Sequence, residues 1–254
     1  MRTILIKLAY LFLPSLYKKR FFKSLDSLKK NVFACEPELL YLKNILKEDS
    51  VFIDVGTNNG IYLYQAEKII KTGKIIGFEP NTQLVAFASK LFKNIKINQV
   101  AISSKSGVST FYVPKKDGKY IHTRGSLEEI KENAEKVEVP TISLDEWVEI
   151  NHLDKIDVIK IDIEGHELAA IQGCKQVLAV FHPILIIEIE LRHANYPISA
   201  IFELIRSFDY EVFYFDRQTK NPVLFNEANI ADFQEIKYAN DLNKYINNFI
   251  FIPK

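Results

Sequence analysis

Short apolar runs alternate with amphipathic stretches along this chain, and that alternation narrows its fold more than any other feature. Residues 51–55 form an apolar strand interrupted only by Asp54. The turn Gly56-Thr57-Asn58-Asn59-Gly60 follows, and then a helix to about residue 71. Residues 74–78 are a second strand with a helix over about 81–93, and residues 95–102 are a third strand. A fourth strand, 156–161, leads into a helix over about 166–180. A fifth, 184–189, leads into a helix over 198–208. Strands at 211–215 and 249–252 close the series; no helical pattern separates them, so they can pair antiparallel. Apolar strands alternating with amphipathic helices predict a doubly wound, mostly parallel α/β sheet, here Rossmann-like and seven-stranded, with helices on both faces.

Two segments lie outside this rhythm. Residues 103–150 form an insertion with short extra strands at 107–113 and 137–142. Ser143-Leu144-Asp145-Glu146 follows as a capping box opening a short helix. Such an insertion, at the carboxyl edge of a parallel sheet, is a usual place for substrate contacts. Residues 1–48 form an N-terminal helical extension, including a helix at 36–47, which leaves 49–254 as the main domain.

The extension also divides the charge. The chain of 254 residues carries +1 overall, yet residues 1–30 hold eight Lys/Arg and only Asp26 as an acid, a local +7. The remaining 25 basic and 31 acidic residues leave the body at −6. An apolar run at 4–16, followed by Lys18-Lys19-Arg20-Phe21-Phe22-Lys23, is too short to cross a bilayer and is broken by Pro14. It suits either a helix packed on the domain or in a dimer, or a peripheral membrane contact through residues 1–30. No basic–aromatic stripe points to nucleic acid. Two cysteines, Cys35 and Cys174, form no metal or disulfide framework, which fits a reducing, cytoplasmic setting.

In a doubly wound sheet the ligand lies across the carboxyl ends of the strands. Here those ends are acidic: Asp54, Glu79, Asp162 with Glu164, and Glu188 with Glu190. The turn after the first strand reads G-x-N-x-G. It is neither the dinucleotide pattern G-x-G-x-x-G nor a phosphate loop, and Asp54 beside it would repel a pyrophosphate. A cationic ligand such as S-adenosylmethionine, with its sulfonium and ammonium, is instead favoured by these carboxylates. Glu79 is placed to accept hydrogen bonds from both ribose hydroxyls. A nicotinamide-dependent oxidoreductase, or a binding protein without catalysis, stays open on this pattern alone.

Four blocks occur in order: Phe52-Ile53-Asp54-Val55-Gly56-Thr57-Asn58-Asn59-Gly60, Phe78-Glu79-Pro80-Asn81, Val100-Ala101-Ile102-Ser103 and Lys160-Ile161-Asp162-Ile163-Glu164-Gly165-His166-Glu167. With Ile187-Glu188-Ile189 and the closing residues 248–253, they make the chain resemble FkbM-type methyltransferases of the class I, S-adenosylmethionine-dependent superfamily over roughly residues 50–254. Asn59 departs from the resemblance, standing where the family usually has a small aliphatic residue. The resemblance implies that Asp54, Gly56, Asn58 and Gly60 cradle the methionine part of S-adenosylmethionine. It further implies that Glu79 holds the ribose, that Ala101 and Ile102 flank the adenine, and that Asp162 sits beside the methyl-bearing end. The implied reaction is O-methylation of a hydroxyl-bearing acceptor, such as a saccharide, glycolipid or lipid-linked saccharide.

An alcohol acceptor has to lose its proton, which favours a nearby base. Asp162, Glu164 and His166 are the catalytic candidates, and His166 has the best ordinary pKa for the role. Glu164 and Glu167 can instead cap the following helix, and His193 and His122 are further candidates. His166-Glu167-Leu168-Ala169-Ala170 lacks the second histidine of H-E-x-x-H. His152, His182 and His193 have no ligand spacing, so no zinc is expected. Magnesium on Asp162 and the other strand-end acids stays open.

Overall fold

The computed structural model describes residues 13–23, 36–129, 133–226, 230–235, 237 and 244–254. Helix α1 (Pro14–Phe21) and helix α2 (Glu38–Ile45) precede β1 (Val51–Val55), α3 (Ile61–Ile69), β2 (Lys74–Phe78), α4 (Thr82–Leu91) and β3 (Lys96–Asn98). After β4 (Ala101–Ile102) the insertion contributes β5 (Gly107–Lys116), β6 (Lys119–Tyr120) and β7 (Ala134–Ile142), then α5 (Leu144–Ile150). The second half runs β8 (Val158–Ile161), α6 (Glu167–Gln172), α7 (Lys175–Phe181), β9 (Ile184–Glu188), α8 (Ser199–Arg206), β10 (Tyr210–Asp216), β11 (Asn221–Leu224), α9 (Ile230–Phe233) and β12 (Asn248–Pro253).

Among the described residues the main sheet has eight strands in the order β11-β10-β12-β9-β8-β1-β2-β3. The five from β9 to β3 are parallel, whereas β12, β10 and β11 join antiparallel. The α/β class and the antiparallel close are as the sequence predicts; the count of seven is corrected to eight. The added strand, β11, forms a hairpin with β10 through Asp216, whose carboxylate accepts from Thr219 N and Oγ1. The expected third strand also divides. Asn98 Nδ2 caps Gly77 O at 3.0 Å, ending β3, and the chain then leaves the edge so that β4 pairs with β7. A second sheet of order β4-β7-β5-β6 results.

Side chains alternate across a strand, and the burial follows that alternation. Ile53, Val55, Ile159, Ile161, Leu185 and Ile187 face one core with Ala170, Val177, Leu178 and Phe202. Phe52, Val158 and Ile186 face a second core with Leu39, Leu42, Leu63 and Ala66. By the same alternation Asp54, Lys160 and Glu188 fall on the second face.

Local chemistry sets the helix ends. The Asn81 side chain accepts from Gln83 N (3.0 Å) and Leu84 N (3.4 Å), starting α4. Ser143 Oγ accepts from Glu146 N at 3.2 Å, but the Glu146 carboxylate accepts from the Ser106 hydroxyl, so only half of the expected capping box forms. The helix expected over 166–180 is two helices divided at Gly173 and Cys174, and the chain at Gly173 passes so close to Ser103 that a Cβ there would lie 2.2 Å from Ser103 O.

Part of the N-terminal extension packs onto the second core. Phe22 is 2% exposed and stacks on Tyr64 at 4.5 Å, while Lys18 pairs with Glu67 and lies 4.1 Å from the Phe92 ring centre. Leu13, Leu16 and Phe21 are exposed. Residues 1–12 and 24–30 of the basic arm, and Cys35, lie outside the described residues. No helix among the described residues is long and apolar enough to cross a membrane.

Candidate active site

The strand order reverses direction at β1. The chain proceeds through β2 and β3 on one side and returns through β8 and β9 on the other. A crevice opens at the carboxyl ends of strands at such a switch point. The cleft found there holds about 530 Å³ of non-atom space, part of it open to solvent. Of the residues expected from the sequence, Gly56, Asn58, Glu79, Ala101, Ile102, Asp162, Glu164 and His166 all line it. Asp54 lies just outside the lining, buried at the end of β1 (2% exposed). Gly60 is set back as the N-cap of α3, where a Cβ would strike the Phe92 ring at 2.4 Å.

The turn after β1 is held by backbone bonds and one carboxylate. Gly56 N and Thr57 N both donate to Phe78 O, at 2.9 and 3.0 Å. Gly56 has φ +84°, and a Cβ on it would lie 1.8 Å from Asp162 O, so glycine is required on two counts. Glu79 accepts from Asn58 N through Oε2 and from Asn81 N through Oε1, each at 2.9 Å. Burial pushes the Glu79 carboxyl up to about 7, while those two amides pull it back down. Each carboxylate oxygen keeps a lone pair for a ligand hydroxyl.

Beneath the turn, acids outnumber bases. Burial pushes Asp54 up to about 8, partly offset by Lys160. Lys160, 1% exposed, donates to Asn248 Oδ1 at 2.6 Å, and Tyr62 donates to Glu36 Oε2 at 2.6 Å. Asp162 and Glu188 lie within hydrogen-bonding reach of each other, and burial raises both carboxyls. Asp54 Oδ2 and Asn58 Oδ1 are buried without a protein partner. Unpaired buried acceptors beside an acid-rich pocket suit a ligand that brings cationic and N–H groups.

The insertion closes the other side. Phe111 and Leu127 from the insertion join Ala101 and Ile102 in an apolar part of the lining, and His122 and Thr123 line the cleft as well. His122 Nδ1 lies 3.2 Å from Asn81 Nδ2, and Asn58 Nδ2 donates to Thr123 O at 3.1 Å. His166 bonds on both nitrogens, to Ser103 Oγ at 2.9 Å through Nε2 and to Glu128 Oε1 at 2.5 Å through Nδ1. His193 does not line the cleft; its Nδ1 lies 2.8 Å from Glu164 Oε2, a pairing that raises the imidazole. Glu167, not Glu164, turns back on its helix start, accepting from Gly165 N (3.0 Å) and Ile163 N (3.3 Å). His152 and His182 are exposed on loops. Among the described residues no group of three His, Cys, Asp or Glu side chains is arranged to hold a metal ion. Sequence reasoning missed Ser103, Glu128, Lys160 and Asn248. Only the odd lysine inside the apolar run of β8 could have flagged one of them.

A five-strand parallel core with a glycine turn and acidic strand ends at its switch point fits the Rossmann-like fold of class I methyltransferases. Residues 54–212, more than half of the chain, match the Methyltransferase FkbM domain. The chain therefore belongs to the FkbM methyltransferase family, and S-adenosylmethionine is its methyl donor. It is 26% identical over 200 residues to the 2-O-methyltransferase NoeI of Sinorhizobium fredii, covering 72% of this chain and 82% of that protein. It is 29% identical over 140 residues to the hexuronic acid methyltransferase AglP of Haloferax volcanii, covering 52% of this chain and 53% of that one. Among solved structures, a methyltransferase FkbM from Methylobacillus flagellatus superposes with a TM-score of 0.51 at 14% identity. That match covers 81% of this chain and 44% of the other, and it speaks for the fold alone.

Proposed function

We propose that this methyltransferase acts on a hydroxyl group of a saccharide, free or carried on a glycolipid or other lipid-linked form. The observation that carries the reading is the make-up of one cleft wall. Asp162, Glu164 and His166, two carboxyl groups and an imidazole, line it beside the glycine turn, where Asp162 O closes on Gly56, and Glu79 lines the same cleft. A hydroxyl acceptor must give up a proton as it is methylated, so such a wall serves it. The relatives named as a 2-O-methyltransferase and a hexuronic acid methyltransferase point the same way.

The residues present fit the donor. Asp54 Oδ2, buried and unpartnered, would take the ammonium of the methionine portion, with Gly56, Asn58 and Gly60 shaping the close backbone approach. Glu79 would hold the ribose hydroxyls, Ala101 and Ile102 the adenine, and Asp162 the region beside the sulfonium. When bound, S-adenosylmethionine supplies a methyl whose C–S bond breaks, its electron pair staying on sulfur, as the acceptor oxygen forms the C–O bond. The chain contributes alignment of acceptor and donor, worth much of the barrier in a displacement, and a base for the hydroxyl proton. An acceptor on a lipid carrier would suit the exposed Leu13, Leu16 and Phe21 beside Lys19, Arg20 and Lys23, with the enzyme on the cytoplasmic face of a membrane.

The test is transfer of labelled methyl to fractionated glycans and glycolipids, followed by hydrolysis to locate the label. Label on a sugar oxygen is expected. Label on nitrogen, on carboxylate or on protein alone would overturn the acceptor assignment. Calorimetry with S-adenosylhomocysteine and with NAD checks the donor site separately.

A further inference from the structure

The insertion brings one carboxylate to the imidazole of β8's loop, and three separate segments meet there. Ser103 follows β4, Glu128 lies between β6 and β7, and His166 follows β8. Their side chains form one line of hydrogen bonds, Ser103 Oγ to His166 Nε2 at 2.9 Å and His166 Nδ1 to Glu128 Oε1 at 2.5 Å. We propose that Glu128 is a positioning residue acting through His166: it accepts the Nδ1 proton and so leaves Nε2 free to take the proton of the acceptor hydroxyl. The place of that hydroxyl is the one the Ser103 hydroxyl now occupies against Nε2.

The chemistry of the groups fixes the direction of each bond. An ionised carboxylate can only accept, so Nδ1 must be the donor, and a neutral imidazole then has a bare Nε2. The hydrogen bond from His166 holds the Glu128 carboxyl below its ordinary range, which keeps it the accepting partner at neutral pH. Its other oxygen accepts from Asn195 Nδ2, so the carboxylate is gripped from two sides.

The support behind Glu128 is rigid. Ser126, 1% exposed, donates through Oγ to Glu164 O at 2.7 Å and accepts from Glu128 N at 3.0 Å. Ser126 also exchanges backbone bonds with Tyr112 of β5, at 2.8 and 3.1 Å. The insertion is thereby stapled to the loop that carries His166, as preorganisation of a proton acceptor requires. Around this loop His193 pairs with Glu164, the Tyr196 hydroxyl donates to Glu167 at 3.3 Å, and Asp162 lies beside Glu188. When the acceptor hydroxyl gives its proton to Nε2, the imidazolium is balanced by Glu128, and the proton passes on to solvent when the product leaves.

This inference rests on the methyltransferase reading of the cleft, and the experiment separates the two. Nitrogen-15 spectroscopy on histidine-labelled full-length protein reads the tautomer of His166 directly, with His166→Gln assigning the resonance. The wild type is expected in the Nδ1–H form. In Glu128→Gln the side-chain oxygen can face Asn195 while its NH₂ donates to Nδ1, so the Nε2–H form is expected. The same variant should lower kcat for labelled methyl transfer to a mixed pool of methyl glycosides by roughly 100-fold with KM within about threefold. S-adenosylhomocysteine should bind both proteins within about twofold by calorimetry. A wild-type Nε2–H tautomer, or a Glu128→Gln protein with wild-type tautomer and kcat, overturns the role of Glu128. Failure of wild-type protein to bind S-adenosylhomocysteine, or to label any glycoside, would sink the methyltransferase reading or its acceptor instead, while the tautomer still decides the positioning.

Discussion

Asp54 and Lys160 are register partners on the adjacent parallel strands β1 and β8, both essentially buried, yet the ammonium donates to Asn248 and Asp54 Oδ2 is left without a partner. A buried acceptor that the fold leaves unsatisfied is a cost borne by the ligand-free protein. Asp54→Asn should remove the part of that cost that comes from ionising a buried carboxyl raised to about 8, because the amide carries no charge to desolvate. The expected gain is about 1 kcal/mol at pH 8, a rise of roughly 2–4 °C in melting temperature. Calorimetry on the same variant should show S-adenosylhomocysteine binding weakened at least about 100-fold. A variant that melts lower and binds normally would contradict both halves.

Gly56→Ala meets two obstacles, the left-handed φ and a Cβ 1.8 Å from Asp162 O. Gly118 shares a positive φ of +72° but has open space around it. Gly118→Ala should cost about 1 kcal/mol from backbone conformation alone, and Gly56→Ala about 3 kcal/mol or more, since backbone must move. Urea midpoints of the two variants measure the difference directly.

Glu79 ties two elements together, accepting from Asn58 N on the turn and Asn81 N at the start of α4. A glutamine has one acceptor oxygen, so Glu79→Gln leaves one amide facing an NH₂ and should destabilise by about 2 kcal/mol. The pH dependence of binding gives a second check. With the carboxyl at about 7, the charged form that best accepts ribose hydroxyls accumulates between pH 6 and 8. S-adenosylhomocysteine affinity should rise over that range in the wild type and rise less in Glu79→Gln.

The part of this site legible in the sequence is the part built by strand ends. Asp54, Glu79 and Asp162 fall at fixed distances from apolar runs, and a parallel sheet brings such ends to one edge without further information. The remainder depends on where the insertion lands. Nothing local to Glu128 or Ser103 says that 107–142 folds as its own sheet and returns over β8, because that placement is set by β4 leaving the main sheet to pair with β7. The same blindness affects edges. β3 stops at Asn98 through a side-chain bond to Gly77 O, and β11 is added by an Asp216 turn; neither signal has a hydrophobic period. Lys160 is the exception that pattern reading could have weighed, since an ammonium in a fully buried strand needs a partner, here Asn248.

Acids raised by burial set the pH profile of stability. Asp54 and Glu38 stand at about 8, and Glu79 and Glu167 at about 7. Each holds a proton in the folded state that the unfolded chain releases above about pH 4–4.5, so stability falls as pH rises from there to about 8. Glu128 and Asp216, whose carboxyls are held low by His166 and by the Thr219 amide, act oppositely and lose their contribution only in stronger acid. The melting temperature of the free protein should therefore be highest near pH 5 and lower at pH 8. A profile rising from pH 5 to 8 would contradict the buried-acid account.

Phe22 links the basic arm to the fold, since its ring sits 2% exposed between Tyr64 and Phe92. Phe22→Ala should cost about 3 kcal/mol, the usual loss for a buried aromatic ring. Removing residues 1–30 outright would take this ring away as well, so any loss of membrane binding would be mixed with loss of packing. The double variant Leu13→Ser/Leu16→Ser separates them, because both side chains are more than half exposed. It should leave the melting temperature within about 1–2 °C of wild type, as surface changes do. If the arm meets lipid, the same variant should co-float less with anionic vesicles, and the loss should grow with salt as screening weakens the lysines and arginine that remain. Equal flotation of wild type and double variant at every salt concentration would leave the arm as a packing element alone.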